Sequence, residues 1–439
     1  MVFGTTILGS NPSAPAMMMK KFIKTLNLTI NKYFSPFYKN KNIKILFKNL
    51  ENGESKDKEV AMFVGGCVRN HIQCKEIGDI DIATIFTPEE LKKKLQNSNF
   101  KVIDTGLDHG SVTVVSDDIK FEFTTLRKDI KTDGRHAEIE TIENWKEDSK
   151  RRDFTINAIY LNKKGKIFDP QQGVKDLNNN VVKFIGDPQT RIEEDFLRII
   201  RFLRFSIQYN SSVEHSTIQA IKLKLNGIKN LSKERVLSEL LKILKLENFL
   251  NIKSNAELLE IFTLIFPEFK NINRLKNFHL VKNYIENSEI LWLSILLIDL
   301  KDNHEYFSHK YNVSNKINDN LNLLGKKFKE AKTDKEFFKK NLKNNIYIIG
   351  AKNLKILYCL YILEKQKISI KEIKLFLSID RISIPKFPFD GKFLLKKGIQ
   401  EGKNIGVILK EAEKIWAQNN FNLSSDEFEI IIKKKIASN

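Results

Sequence analysis

Cysteine is scarce in this chain. Cys67, Cys74 and Cys359 are the three present in 439 residues, and no two of them form a CxxC pair. An odd count without paired spacing argues against a disulfide framework or a structural zinc site and fits a reducing cytoplasm. Long apolar runs are missing too. None approaches the roughly 20 residues that span a bilayer, and Ser294–Leu300 is short and carries Asp299. No basic residue precedes Lys20. A secretory signal needs a positive start and a transit peptide needs arginines, so neither is expected. Residues 1–40 read as an N-terminal extension, partly disordered, with Met17–Met19 near the true beginning.

What is abundant is positive charge. Lys and Arg number 74 against 54 Asp and Glu, a formal net charge of +20. Such an excess attracts a polyanion, and the usual candidates are nucleic acid and an anionic membrane surface. A coding bias toward Lys, Asn and Ile accounts for part of it. Apolar residues make up 41%, which supports a packed core and excludes global disorder. At roughly 100–200 residues per domain, this length allows several domains.

The chain falls into three regimes. From about Lys41 to Asp169, short β-rich runs alternate with turns, at Val60–Val64, Ile80–Ile85, Ser111–Val115, Ile119–Thr125 and Ile139–Thr141. Helical patterns at Pro88–Gln96 and Arg152–Tyr160 lie among them, so this part is an α+β or α/β unit. From Pro188 the pattern is helical, first as one long stretch to Gln208 and then from Ser232 to Leu246. The remainder is helical, rich in lysine, and broken near Pro385, Pro388 and Gly391.

Chemistry enters at the first strand. Ala61–Val64 runs into Gly65-Gly66-Cys67-Val68-Arg69. Two glycines let backbone N–H groups approach an anion with no Cβ in the way, and Arg69 adds a fork for phosphate. Taken alone, such a pair is also an ordinary turn. Downstream comes Asp79-Ile80-Asp81-Ile82. Alternate side chains of a strand share a face, so Asp79 and Asp81 point the same way while the isoleucines enter the core. Two adjacent carboxylates repel unless a cation lies between them, and hard oxygen ligands suit Mg²⁺ completed by substrate phosphates. An isolated DxD is equally the polar face of an edge strand. A third acid, Glu122, sits between Phe121 and Phe123 on another strand. It would complete a two-metal site, one ion activating a 3′-hydroxyl and the other holding a triphosphate.

Arginines supply the second signal. In Arg151-Arg152-Asp153-Phe154-Thr155-Ile156-Asn157, the arginine pair suits phosphate and Asn157 suits a ribose or base edge. Asp153 as a helix cap is the plainer reading of the same residues. In Glu193-Glu194-Asp195-Phe196-Leu197-Arg198-Ile199-Ile200-Arg201-Phe202-Leu203-Arg204, polar residues recur every third position among large apolar ones. Such a helix is buried almost all round, and buried arginines need partners or a site. Asp195 and Arg198 can read a base. A carboxylate accepts from an exocyclic amine, and a guanidinium donates to the adjacent ring nitrogen. Cytosine and adenine present that edge, whereas guanine and uracil present its reverse. An internal salt bridge is the competing account.

Taken in order, GGCVRN, GDIDIAT, RRDFTINAIY, EEDFLRIIRFLRF and SKERV resemble the class II tRNA nucleotidyltransferases, the CCA-adding enzymes, with bacterial poly(A) polymerases as close relatives. The likeness is strong over about residues 58–240 and weak at FPFDGKFLL (387–395). It implies an elongated multi-domain protein: an α+β nucleotidyltransferase head (a mixed sheet with helices, 41–185), then an all-α neck (186–250) and an all-α body and tail (251–439). It implies that Asp79 and Asp81 bind catalytic Mg²⁺; Glu122 joins them as a catalytic residue from the strand pattern alone. By position, Gly66, Arg69 and Arg152 would contact the triphosphate. Asp195 and Arg198 would read the incoming base, with Arg201 and Arg204 lining the same pocket and Arg235 and Glu239 in the neck motif. Basic residues of the C-terminal part would hold the tRNA acceptor and TΨC arms.

The sequence departs from the family pattern at Asn70, at Gln73-Cys74, at Phe196 and at His136-Ala137. The segment Asp129–Glu138 resembles the flexible loop that such enzymes need to switch from C to A addition. Leu296-Leu297-Ile298-Asp299 lacks the histidine of an attached phosphohydrolase, so no phosphatase activity is expected. The expected activity is addition or repair of the 3′-CCA of tRNA from CTP and ATP, in the cytoplasm, with no membrane and no obligate protein partner. The alternatives are A-only addition, poly(A) synthesis, or a non-catalytic RNA-binding protein.

Overall fold

The structure, a computed structural model, describes residues 26–437 except 31, 33, 108, 109, 117, 118, 133–136, 340, 341, 366, 400 and 401. The N-terminal stretch through residue 25 and the centre of the Asp129–Glu138 segment thus lie outside the described residues. The chain divides into two compact units, Met1–Ser232 and Lys233–Asn439.

The first unit is built on a mixed seven-stranded sheet. Its strands are β1 (Ala61–Val64), β2 (Ile80–Thr84), β3 (Lys101–Gly106), β4 (Ser111–Ser116), β5 (Ile119–Thr125), β8 (Tyr160–Leu161) and β9 (Ile167–Phe168). They lie side by side in the order β3-β4-β5-β2-β1-β8-β9. A separate hairpin pairs β6 (Arg127–Thr132) with β7 (Ala137–Thr141). All four residues of β1 are apolar and buried, as a strand covered on both faces requires. In β5 the alternation is visible: Phe121 and Phe123 are fully buried, while Lys120 is exposed and Glu122 half-buried.

Helices cover this sheet. Helix α1 (Lys41–Leu50) buries Ile43, Leu46, Phe47 and Leu50, the i, i+3, i+4, i+7 stripe of an amphipathic helix. Phe47 packs against Phe63 of β1 with ring centroids 5.1 Å apart. Helix α2 (Gly66–Ile72) leaves the glycine turn directly. Helix α3 (Pro88–Leu95) starts at a capping box made by Thr87 and Glu90 and buries Leu91 and Leu95. Then follow α4 (Trp145–Arg151), α5 (Gly173–Asn178), α6 (Pro188–Glu194), α7 (Leu197–Tyr209) and α8 (His215–Lys224).

Two expectations fail against this architecture. Arg152–Tyr160 is not a helix: only a 3₁₀ turn at Thr155–Asn157 forms, and the helix of this region is α4 just before it. The backbone is recruited elsewhere. Thr155 N–H donates to the Lys183 carbonyl at 3.0 Å and Ile185 N–H to the Asp153 carbonyl at 3.2 Å. These long-range bonds hold Phe154 extended, at φ −127° and ψ 151°, just before the turn. The long helix from Pro188 to Gln208 is likewise two helices. Asp195 is extended (φ −157°, ψ 106°), and its Oδ1 accepts the Leu197 N–H at 3.1 Å, restarting the helix.

The second unit is helical. Its Glu289–Leu297 helix is apolar all round, with every residue from Leu291 to Leu297 buried. The apolar run of the sequence is therefore the core of this unit. Among the described residues, no single helix is long and apolar enough to cross a membrane. Toward its C-terminus, Trp416, Phe428 and Leu394 anchor a further cluster. The FPFDGKFLL segment feeds it: Phe389 lies 4.3 Å from Phe428, and Phe387 lies 5.4 Å from Trp416, by ring centroids. A cavity of about 860 Å³ lies in the same unit, walled by Arg274, Phe328, Tyr306 and Glu364 among others.

Candidate active site

The site grows from the turn after β1. Gly65 has φ +73°, and a Cβ placed on it would stand 3.2 Å from Asp81 Oδ2. Only glycine meets both the left-handed backbone and the close approach of the carboxylate. The approach follows from register, because Val64 lies opposite Asp81 in the antiparallel β1–β2 pair. The Gly66 N–H donates to that same Asp81 carboxylate.

Asp81 is half-buried and Asp79, in the bend just before β2, is exposed. Burial raises the Asp81 carboxyl above the ordinary carboxylate range; Asp79 adds to this, while Arg69 and Arg152 pull it down. On the far side of β2, the parallel pairing with β5 sets Glu122 at the register position of Asp81. Glu122 accepts from Thr113 Oγ1 at 2.9 Å and pairs with Lys120 at 2.5 Å. Cys67 sits behind the turn, and burial pushes its thiol up to about 12, so it supplies no thiolate.

Two buried networks hold the arginines. In the first, Asp148 of α4 is wholly inaccessible. Its Oδ1 accepts from Arg151 Nε at 2.7 Å, and its Oδ2 accepts from Arg152 Nη2 at 3.1 Å and from the Tyr160 hydroxyl at 2.7 Å. Arg152 Nε also donates to that hydroxyl at 2.9 Å. Burial alone would raise the Asp148 carboxyl, but the two guanidiniums and Tyr160 more than reverse it and hold it at about 2.

In the second network, Arg69 Nε donates to the Tyr209 hydroxyl at 3.0 Å and its Nη1 to Asn157 Oδ1. Asn157 Nδ2 donates to Asp153 Oδ1 at 2.7 Å, and Arg201 Nε donates to Asp153 Oδ2 at 2.7 Å. Arg69, Arg201 and Arg204 all lie over the Phe205 ring, with Arg204 closest at 4.0 Å. The glycine turn, the RRDFTIN segment and α7 are thus bonded into one cluster. Asp153 does not cap a helix; it ties Arg201 to Asn157.

Arg198 is buried, and its guanidinium does not close a pair on Asp195 alone. Its Nη1 donates to Glu194 Oε2 at 2.6 Å and to the Arg191 carbonyl at 2.7 Å, and its Nη2 reaches the Arg151 carbonyl at 3.4 Å.

A family model described as "Poly A polymerase head domain" matches residues 61–183, and one described as "Probable RNA and SrmB- binding site of polymerase A" matches 212–273. The zebrafish (Danio rerio) CCA tRNA nucleotidyltransferase 1, mitochondrial, is 32% identical over 83% of this chain and 84% of its own. The chain belongs to the CCA tRNA nucleotidyltransferase family. It is therefore a nucleotidyltransferase. The mouse (Mus musculus) counterpart is 29% identical over 95% of both chains. Among solved structures, the Bacillus stearothermophilus CCA-adding enzyme in complex with CTP shares the fold, with TM-score 0.62 and 20% identity over 90% of this chain and 96% of that one. Enzymes of this family use a divalent metal.

Arg69, Arg152 and Arg198, expected at the site from the sequence, are held by residues that the motifs do not single out. Asp148, Tyr160, Tyr209 and Arg191 carry no mark of their own in the motifs. Asp148 precedes Arg151 and Arg152 by three and four positions, the spacing of helical neighbours. That signal is present, and it is readable only once the helix is placed at Trp145–Arg151 and not after Arg152.

Proposed function

We propose that this protein builds or repairs the 3′-terminal CCA of tRNA by template-independent nucleotidyl transfer from CTP and ATP. The observation that carries the reading is the bonding of Arg69, on the helix that leaves the glycine turn beside Asp81, to Arg201 of the arginine-bearing helix through Asn157 and Asp153. Phosphate chemistry and base selection then share one rigid cluster.

The donor set suits a hard divalent cation. Asp81 carries a charge that burial and Asp79 both disfavour, and a cation between the two carboxylates relieves both effects. The proposed ion is Mg²⁺, held by Asp79 and Asp81, with Glu122 the third carboxylate. When bound, it neutralises charge on the triphosphate and favours in-line attack by the tRNA 3′-hydroxyl. Gly66, Arg69 and Arg152 face the triphosphate, and Asp148 keeps Arg152 charged and oriented.

Base selection falls to Asp195 and Arg198, lined by Arg201 and Arg204. A guanidinium has five N–H donors. Three of them in Arg198 are directed at Glu194, the Arg191 carbonyl and the Arg151 carbonyl. Nε–H and one Nη2–H remain to donate to a ring nitrogen, while Asp195 accepts from an exocyclic amine. That pair admits cytosine and adenine. The switch from C to A addition falls to the Asp129–Glu138 segment, whose flanks are strands β6 and β7.

The divisions that go with this reading are a catalytic head at 41–185, a base-selecting neck at 186–250, and a tRNA-holding body and tail at 251–439. The cytoplasm is the proposed compartment, supported by three free cysteines; the mouse and zebrafish relatives are named as mitochondrial, and cell fractionation distinguishes the two.

The test is primer extension with Mg²⁺ and tRNA transcripts ending before CCA, after C and after CC. Each nucleoside triphosphate is supplied alone and in pairs, and the 3′ ends are sequenced. Addition of CC followed by a single A is the expected result. A alone on the CC-ending transcript makes the protein an A-adding partner, and long A tails make it a poly(A) polymerase. No incorporation at all removes Asp79 and Asp81 as ligands of a working metal.

A further inference from the structure

Arg191 belongs to none of the roles above, yet it is one of the most heavily bonded side chains of the first unit. It sits in α6 and is only 9% exposed. Its Nη2 donates to the Arg151 carbonyl at 2.6 Å and to the Arg152 carbonyl at 2.8 Å. These carbonyls end helix α4, where main-chain acceptors have no partner within the helix. Its Nη1 donates to Glu194, and its own main-chain carbonyl accepts from Arg198.

The bonds close a ring. Arg191 and Arg198 share one carboxylate, Glu194, and one carbonyl, that of Arg151. One side of the ring is the backbone of Arg151 and Arg152, whose side chains are fixed by Asp148. The other side is the guanidinium of Arg198. Burial disfavours the charge on Arg191 and the adjacent Arg198 guanidinium repels it; Glu194 offsets part of both. If Arg191 is removed, Glu194 is left to Arg198 alone and the Arg151 and Arg152 carbonyls lose their main donor. Arg198 is then free to follow Glu194 toward solvent, because Glu194 is only half-buried.

We propose that Arg191 is a positioning residue for base selection: it clamps the carbonyl end of α4 to the start of the base-reading helix and so fixes the direction in which Arg198 presents its remaining donors. This rests on the assignment of Arg198 to base reading. It predicts that discrimination depends on a residue that touches no nucleotide. A displacement on the order of 1 Å at such a group changes rates by about a hundredfold, so loss of the clamp is readable in kinetics.

The experiment compares R191M, R191K and R198A in the full chain. It measures kcat and KM for CTP and for UTP on a tRNA lacking CCA, with the thermal midpoint of each variant. The expected result is a fall of about tenfold or more in the CTP-over-UTP ratio of kcat/KM for R191M. R191K should lie between R191M and the parent, since one ammonium cannot span two carbonyls and a carboxylate. A residue with a merely structural role would lower the midpoint and leave that ratio alone. A parental ratio in R191M, beside a lost ratio in R198A, overturns the clamp and leaves base reading by Arg198 standing. A parental ratio in R198A overturns the base-reading assignment itself. Should R191M fail to fold, R191K decides alone, and a parental ratio there overturns the proposal.

Discussion

Gly65 meets two demands with one absent atom. Its φ of +73° disfavours any L side chain, and a Cβ would press on Asp81 at 3.2 Å. Gly65→Ala should lower stability by about 1–3 kcal/mol and reduce turnover further than that loss implies, because the displaced atom belongs to the proposed metal ligand. Urea denaturation and primer extension on the same variant separate the two; unchanged turnover would mean that the carboxylate tolerates the shift. Asp148 makes a stability prediction with a pH sign. Its carboxyl is held at about 2, below the ordinary carboxylate value, and Asp153, beside Arg201 and Asn157, is likewise held at about 2. The folded state prefers both groups ionised, so their stabilisation is complete above the unfolded pKa of about 4 and is lost as pH falls toward 2. Asp148→Asn should cost about 3–5 kcal/mol near neutrality, as removal of one partner from a buried ion pair does, and should flatten the loss of stability between pH 4 and 2. An unchanged acid limb in urea titrations would place the linkage on other groups. Asp79, Asp81 and Arg69, the residues proposed to hold the metal and the triphosphate, are marked by patterns confined to a few adjacent positions. Asp148 escapes because its spacing to Arg151 and Arg152 reads as a pairing only once the helix is placed before Arg152, and Tyr209 escapes because it meets Arg69 across 140 positions of chain.

At the level of elements, five of the nine strands are legible and two helices are not, and both helix failures have a cause in the backbone. Strand alternation survives packing, so Ile119–Thr125 is found where its pattern predicts. Arg152–Tyr160 carries a helical pattern, but its first residues bond to the 183–185 segment, and long-range pairing overrides local propensity. The break at Asp195 and Phe196 is the second case, and packing explains what holds it. A Cβ on Gly227 would lie 2.1 Å from the Phe196 ring, so Phe196 occupies space that only glycine leaves open. Gly227→Ala should therefore destabilise the first unit by about 1–3 kcal/mol through overpacking. Phe196→Ala should also destabilise, through the cavity it leaves. The double variant should lose less than the sum of the two, since each relieves the strain of the other. Strict additivity in chemical denaturation would show that the ring and the glycine do not meet. If the proposed base selection is right, Gly227→Ala should also disturb nucleotide choice, because Phe196 separates Asp195 from α7.

For the whole molecule, the charge of +20 is the first feature to point at nucleic acid, and it is also the least specific. Ion pairs within the protein leave that excess unchanged, but they commit some of its cations to internal partners. In the second unit, Arg274 and Lys332 both pair with Glu364, and Lys310 pairs with Glu268, so part of the charge lining the cavity is balanced within the chain. What remains acts over the surface and through phosphates. Binding and catalysis should then respond to different perturbations. If tRNA is held by six or more phosphate contacts, its affinity should fall on the order of a thousandfold between 50 and 200 mM salt. Asp79→Ala, at an exposed position that bears no phosphate-binding charge, should leave the affinity for tRNA and its salt slope as they were while incorporation of CMP is lost. Filter binding across a salt series, paired with primer extension, measures both. An Asp79→Ala variant that still extends tRNA would take the metal away from this carboxylate. A parental protein with no salt slope would take the lysine excess away from tRNA and return it to coding bias. Sequence composition predicts the slope and the Asp79–Asp81 spacing predicts the loss, and neither outcome follows from the other, because one depends on the sum of many weak charges and the other on a single oxygen pair.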